Sequence, residues 1–141
     1  MDNRAIAIIE DNRDDQLVIL EAIRGAGIQN ALKFFTTGTE AMAYLTCCEQ
    51  YFESLPVLIF LDLLLENEDG LTFLETVRNH PATHRIPVIV LSQSARQRHL
   101  QESYRLGANS FVAKDEQLSR FNANMQCILD YWLKVCRVPV A

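Results

Sequence analysis

The chain has 141 residues, 49% of them hydrophobic and 22% charged, and a formal net charge of −5. One domain of this size can bury roughly two-thirds of its unfolded surface, so a full core is available. The acidic balance argues against a nucleic-acid module, which carries a basic face, and no apolar run approaches the ~18 residues of a membrane span.

The N-terminal Met1-Asp2-Asn3-Arg4 leads into a short apolar run and then acid, unlike a signal peptide. Ala5-Ile6-Ala7-Ile8-Ile9 reads as a first strand ending at Glu10-Asp11. Asn12 to Asp15 supply turn and cap chemistry, with Asp14 the expected cap of a helix through Leu17, Val18, Leu20, Ala22, Ile23 and Ala26, closed by Gly25 and Gly27. Ala31 to Phe35 is a second strand. Thr37-Gly38-Thr39-Glu40 reads as a capping box that opens a helix fading near Cys47-Cys48. The four cysteines (Cys47, Cys48, Cys127 and Cys136) have neither zinc spacing nor the look of a disulfide framework. Reduced thiols and a soluble, cytoplasmic protein are expected.

Val57-Leu58-Ile59-Phe60-Leu61 then runs straight into Asp62. A continuous apolar run of this length fits a central strand covered on both faces of a parallel sheet. A carboxylate escapes a large desolvation cost there only by emerging at the C-terminal edge of the sheet, where open α/β folds bind ligands. Glu66-Asn67-Glu68-Asp69-Gly70 turns the chain into a helix from Gly70 to His80 with Leu71, Phe73, Leu74 and Val77 apolar. Pro87 opens a fourth strand, Val88 to Leu91, that stops at Ser92. A polar helix over 95–106 is stopped by Gly107. Ser110 to Ala113 is the fifth strand and ends at Lys114. The last helix is expected over 116–136, capped by Asp115. Five uninterrupted strand–helix alternations predict one doubly wound α/β domain with a five-stranded parallel sheet and helices on both faces.

Four of the five strands end in polar groups: Glu10-Asp11, Asp62, Ser92 and Lys114. A parallel sheet brings all these ends to one edge. Three carboxylates within ~5 Å repel by roughly 3 kcal/mol per pair at an effective dielectric near 20, so a hard divalent cation is the natural compensation. With the cluster neutralised, an Asp can act as nucleophile toward a phosphoryl group, and Ser92 and Lys114 supply a hydroxyl and a cation to its oxygens. Each residue alone has a bland reading: Lys114 as a surface lysine, Ser92 as a helix cap, Glu10-Asp11 as a solvated turn. The ordered set is what points to chemistry.

Over about residues 4 to 118 the sequence resembles the receiver domain of two-component response regulators. The resemblance is carried by Ile8-Ile9-Glu10-Asp11-Asn12, Leu61-Asp62-Leu63 with Asp69-Gly70, Val90-Leu91-Ser92, Gly107-Ala108-Asn109-Ser110-Phe111 and Lys114. It implies a flavodoxin-like (βα)5 fold with strand order 2-1-3-4-5. It also implies a single receiver domain over 1–141 without an output domain, and a signalling protein rather than an enzyme. Asp62 would accept a phosphoryl group from a phosphohistidine on a sensor histidine kinase. Asp11, Asp62 and the Leu64 carbonyl would bind Mg²⁺ (or Mn²⁺), with Glu10 holding the metal through water. Ser92 would contact the phosphoryl group, Lys114 would pair with it, and Phe111 matches the aromatic that swings inward as Ser92 moves.

The chain departs from this pattern in four places. Glu10 stands where many relatives have Asp, and Glu66 and Asp115 stand where the family usually has proline. Leu64 replaces a polar or larger residue and is expected to shield an acyl phosphate from water. A trans Lys114–Asp115 bond is expected, because a cis bond without proline costs ~3 kcal/mol. The departures keep a pseudo-receiver, an interaction domain not regulated by phosphorylation, as the alternative. A metal-dependent phosphatase is disfavoured because Leu64 occupies the place of a general acid.

In the last helix, Leu118, Phe121, Met125, Ile128, Trp132 and Val135 fit a buried stripe at three-four spacing. Leu129, Tyr131, Leu133 and Cys136 lie outside it and are expected to form a self-pairing surface in a homodimer. Ser92-Gln93-Ser94, the run Lys114 to Leu118 and Tyr131-Trp132 are similar to the stand-alone regulators that partner bacterial phytochrome kinases. That makes a bacteriophytochrome the implied kinase, with no nucleic-acid or membrane partner.

Overall fold

The computed structural model describes residues 2–48, 55–94 and 96–140. Five strands alternate with helices: β1 (Ile6–Ile9), α1 (Arg13–Gly25), β2 (Leu32–Phe35), α2 (Gly38–Cys48), β3 (Leu58–Leu61), α3 (Gly70–Asn79), β4 (Val88–Ser92), α4 (Gln97–Arg105), β5 (Ser110–Ala113) and α5 (Leu118–Asp130). A π-helical turn, Tyr131–Val135, extends α5. All four strand pairings are parallel, in the order β2-β1-β3-β4-β5. This is the flavodoxin-like topology expected from the sequence.

The inner strands read as unbroken apolar runs because both of their faces are covered. Ile6, Ile8, Leu58, Phe60, Ile89 and Leu91 point into a core completed by Ile19 and Ile23 of α1 and by α5. The alternate residues, Ala7, Ile9, Ile59, Leu61, Val88 and Val90, point into a second core with Leu45 of α2 and Phe73, Leu74 and Val77 of α3. Period-two alternation thus persists, with apolar side chains on both faces. No helix among the described residues is long and apolar enough to cross a membrane.

Several local expectations change. Asn12, not Asp14, caps α1, its side chain accepting from the Asp15 amide at 2.9 Å. Thr37 Oγ does accept from the Glu40 amide at 3.1 Å, as half of a capping box. Ala95, the expected start of the fourth helix, lies outside the described residues, and α4 runs from Gln97. Gln117 rather than Asp115 precedes α5, although Asp115 Oδ1 accepts from the Gln117 amide at 2.8 Å. No peptide bond is cis among the described residues, so Lys114–Asp115 is trans. Cys47, Cys127 and Cys136 are free thiols, and the Cys48 side chain is outside the described residues.

The last helix carries the main correction. Phe121 and Met125 are buried as expected, and Ile128 and Trp132 pack partly buried against the same core, but Leu129 and Leu133 complete the buried stripe, while Leu118 and Val135 are 55% and 71% exposed. Leu129 and Leu133 therefore belong to the core and are removed from the candidate dimer surface. Of that set Tyr131 remains exposed and Cys136 partly so. Leu129 follows Phe121 and Met125 by ordinary α-helical steps of four, whereas for Leu133 and Val135 the cause is the π turn. Its Cys136 N to Tyr131 O bond closes a wider ring than an α-turn, so the helix face slips, bringing Leu133 in and Val135 out. Leu133→Ala is expected to cost about 3 kcal/mol in urea unfolding. A loss below ~0.5 kcal/mol, typical of a surface site, would return Leu133 to the surface.

Candidate functional site

Strand register assembles the site. Ile9 of β1 pairs with Leu61 of β3, so the residues that follow, Glu10 and Asp62, emerge side by side at the C-terminal edge. Ser92 ends β4 opposite Ala113 of β5, and the next residue is Lys114. The Lys114 amide donates to Ser92 O at 2.9 Å, extending this pairing into the site. Glu10, Asp11, Asp62, Ser92 and Lys114 are thus gathered by topology alone, as expected.

Lys114 is the electrostatic centre. Its Nζ donates to Glu10 Oε1 at 2.5 Å, to Asp15 Oδ2 at 3.0 Å and to Asp62 Oδ2 at 3.4 Å. Asp15 was not among the expected site residues. It lies in the first turn of α1, where its charge also suits the positive end of the helix dipole. Burial works against the lysine's charge, but the Glu10 hydrogen bond and the surrounding carboxylates prevail and raise its pKa.

Glu10 is almost fully buried, and its Oε2 has no hydrogen-bond partner. Burial, reinforced by the Asp62 carboxyl, pushes its pKa up to about 8 against an opposing pull from Lys114. Glu10, Asp11 and Asp62 each offer one oxygen, all within 4.8 Å of one another. Hard oxygen donors at that spacing, one of them buried without a partner, fit Mg²⁺ or Mn²⁺.

The β3–α3 loop closes the site from one side. Leu64 N donates to Asp62 Oδ1 at 3.0 Å, and Glu66 N donates to Asp11 Oδ2 at 2.5 Å. An antiparallel bridge between Leu64 and Asp69 folds the loop back on itself. Asp69 then caps α3 through the Leu71 amide at 3.0 Å. A Cβ on Gly70 would sit 2.6 Å from Asp62 O and 2.7 Å from the Leu63 Cα, so only glycine lets α3 start against the strand end. A pocket of about 260 Å³ opens over Asp11, Asp15, Asp62 and Lys114, with Leu64, Glu66 and Gln93 on its walls.

The remaining expected residues lie close by. Ser92 is fully buried, and its Oγ accepts from the Ser94 amide at 3.1 Å. Phe111 is half-buried against the α2–α3 core, and its amide donates to the Tyr104 hydroxyl at 3.3 Å. Leu64 is 50% exposed at the pocket wall.

Residues 6–126 match the family model of the response regulator receiver domain. The chain belongs to that family. Response regulator Rcp1 of Synechocystis sp. is 32% identical to this receiver domain over 139 residues, 98% of this chain and 95% of Rcp1. The crystal structure of the phosphorylated cyanobacterial phytochrome response regulator RcpA is similar with a TM-score of 0.88 and 34% identity, covering 98% of this chain and 99% of that one. The Mn²⁺-bound form of response regulator Rcp1 gives a TM-score of 0.84 at 31% identity, covering 96% and 99%. The chain is therefore a response regulator receiver, with phytochrome-associated regulators among its relatives, and not a conventional enzyme.

Proposed function

We propose that this receiver domain takes a phosphoryl group onto Asp62 from a phosphohistidine of a sensor histidine kinase and passes the signal on through protein contacts. The observation that carries the reading is the Asp62 carboxylate itself. It opens to the pocket beside Glu10 and Asp11, with the Lys114 ammonium 3.4 Å from its Oδ2. An Asp62 oxygen attacks phosphorus, the P–N bond breaks, and the imidazole leaves with the electron pair and takes a proton from solvent. Lys114 would offset charge on the transferred oxygens, and the Ser92 hydroxyl would contact one of them.

Asp11, Asp62 and the Leu64 carbonyl would hold Mg²⁺ or Mn²⁺, with Glu10 engaging it through water. When bound, the ion supplies the divalent charge that lets the acids and a phosphoryl group share one site. The likeness to a Mn²⁺-bound and a phosphorylated regulator supports both parts of the reading. The phytochrome response regulators among the similar solved structures support a bacteriophytochrome as the kinase. Phosphorylation would then favour a minor conformation in which Ser92 and Phe111 move together and alter the surface around β5 and α4.

The test is intact-protein mass after incubation with Mg²⁺ and acetyl phosphate. Wild type is expected to gain one phosphoryl group, and neither wild type without Mg²⁺ nor Asp62→Asn is. No adduct on folded wild type with Mg²⁺ present would transfer the case to a pseudo-receiver. Leu64 at the pocket wall is expected to keep water from the acyl phosphate. Leu64→Asn should then shorten the phosphoryl lifetime about threefold or more, which is roughly 0.7 kcal/mol of barrier. An unchanged lifetime would remove that role.

A further inference from the structure

Two amides of the β3–α3 loop, two residues apart, each hold one oxygen of a site acid. The Leu64–Asp62 bond is local, closing a turn within one strand end. The Glu66–Asp11 bond instead spans 55 residues of sequence and ties this loop to the end of β1. Its donor is presented by a braced backbone. Behind it stand the Leu64–Asp69 bridge, the tight seat of Gly70, and Glu68, whose carboxylate accepts from the Thr39 hydroxyl at 2.6 Å and the Thr39 amide at 3.1 Å.

Among the described residues the acceptor has no such bracing of its own. Asp11 lies past the end of β1 and before α1, only partly buried, with the carboxylates of Glu10 and Asp62 nearby. Like charge and solvent would both draw its side chain outward. A fixed N–H that binds one carboxylate oxygen opposes this and leaves the second oxygen available to a cation.

We propose that the Glu66 backbone amide is a positioning group that presets Asp11 for divalent-cation binding. The inference rests on reading the acid cluster as a metal site, and it goes further in assigning a role to the main chain at position 66. Any residue other than proline can supply this donor, whatever its side chain. A ligand already fixed in its binding rotamer loses less freedom when the ion arrives, so losing the amide should weaken the ion's hold.

Glu66→Gln and Glu66→Pro both remove the side-chain charge, and only the second removes the amide. Calorimetric titration with Mn²⁺ is expected to show the proline variant binding about threefold to tenfold more weakly than the glutamine variant. Equal affinities, or tighter binding by the proline variant, would overturn the inference and leave the metal site standing. Wild type that binds no Mn²⁺ would overturn the metal reading and this inference together. If the proline variant does not fold, the wild-type amide spectrum decides. The Glu66 proton should lie downfield in the metal-free protein and stay there when Mg²⁺ saturates. A shift to a random-coil position on saturation would overturn the role.

Discussion

Lys114→Met is expected to destabilise the metal-free protein by about 3 kcal/mol at pH 9, and by distinctly less at pH 6. Lys114 is the shared counter-charge of Glu10, Asp15 and Asp62, within 2.5, 3.0 and 3.4 Å of them. Removing one member of a buried ion cluster costs more than the cluster was worth, because the others keep their desolvation penalty unopposed. The pH dependence follows from Glu10, whose pKa is about 8. At pH 6 its carboxyl is protonated, and the variant leaves only the more exposed Asp15 and the Asp62 carboxylate without their cation. At pH 9 Glu10 is ionised in the wild type. The variant, lacking the ammonium that holds its pKa down, must either bury that charge unopposed or take up a proton, and either adds to the loss. Urea unfolding in EDTA at the two values measures the difference, and equal losses would mean that Glu10 does not ionise against Lys114.

The same variant should behave oppositely toward metal. Lys114 and a divalent ion are drawn to the same acids, so an ammonium 3.4 Å from Asp62 opposes the ion's entry. With methionine in its place, Mn²⁺ is expected to bind about tenfold more tightly, with a larger rise in melting temperature at saturation. Weaker Mn²⁺ binding by the folded variant would show that Lys114 organises the metal site instead of competing for it.

Why the sequence disclosed some of this and not the rest follows from the kind of interaction involved. β1, β3 and β4 were legible because helices cover both faces of the sheet, so every side chain along them is apolar except Ser92, which ends β4 at the site. Once a parallel sheet was inferred, the convergence of Glu10, Asp11, Asp62, Ser92 and Lys114 followed from topology, without any knowledge of distances. Asp15 was not legible. An acid in the first turn of a helix can serve the helix dipole, solvent or a distant cation, and only the position of Lys114 decides among them. The Glu66 amide was less legible still, since a residue other than proline shows only that a donor exists, and nothing in the sequence says which acceptor it meets. In the last helix the error was partial. Ile128 and Trp132, which three-four spacing picks out, do flank the core, but α-helical steps of four from Phe121 also bury Leu129, and the widened turn beyond Asp130 brings Leu133 in and leaves Val135 out.

Metal affinity is expected to rise steeply with pH, through Glu10. The ordinary value for this carboxyl is 4.5, and burial raises it to about 8 in the folded chain. Between those values the folded state keeps a proton that the unfolded state has released. Metal-free stability is therefore greatest below pH 4.5 with respect to this group, and falls as pH climbs toward 8. A divalent ion at the Glu10–Asp11–Asp62 cluster reverses the preference by favouring the ionised form, so its binding expels the proton. Mn²⁺ affinity should climb about tenfold to a hundredfold between pH 6 and pH 8, the range set by about a unit in the pKa. Close to one proton should be released per ion at pH 6.5, seen as a dependence of the binding heat on buffer ionisation. Glu10→Gln, which keeps the side-chain shape without a titrating group, should flatten the profile and abolish the proton release. A wild-type profile already flat would mean that Glu10 is ionised before the metal arrives. The buried, unpartnered Oε2 would then carry its charge against Lys114 alone.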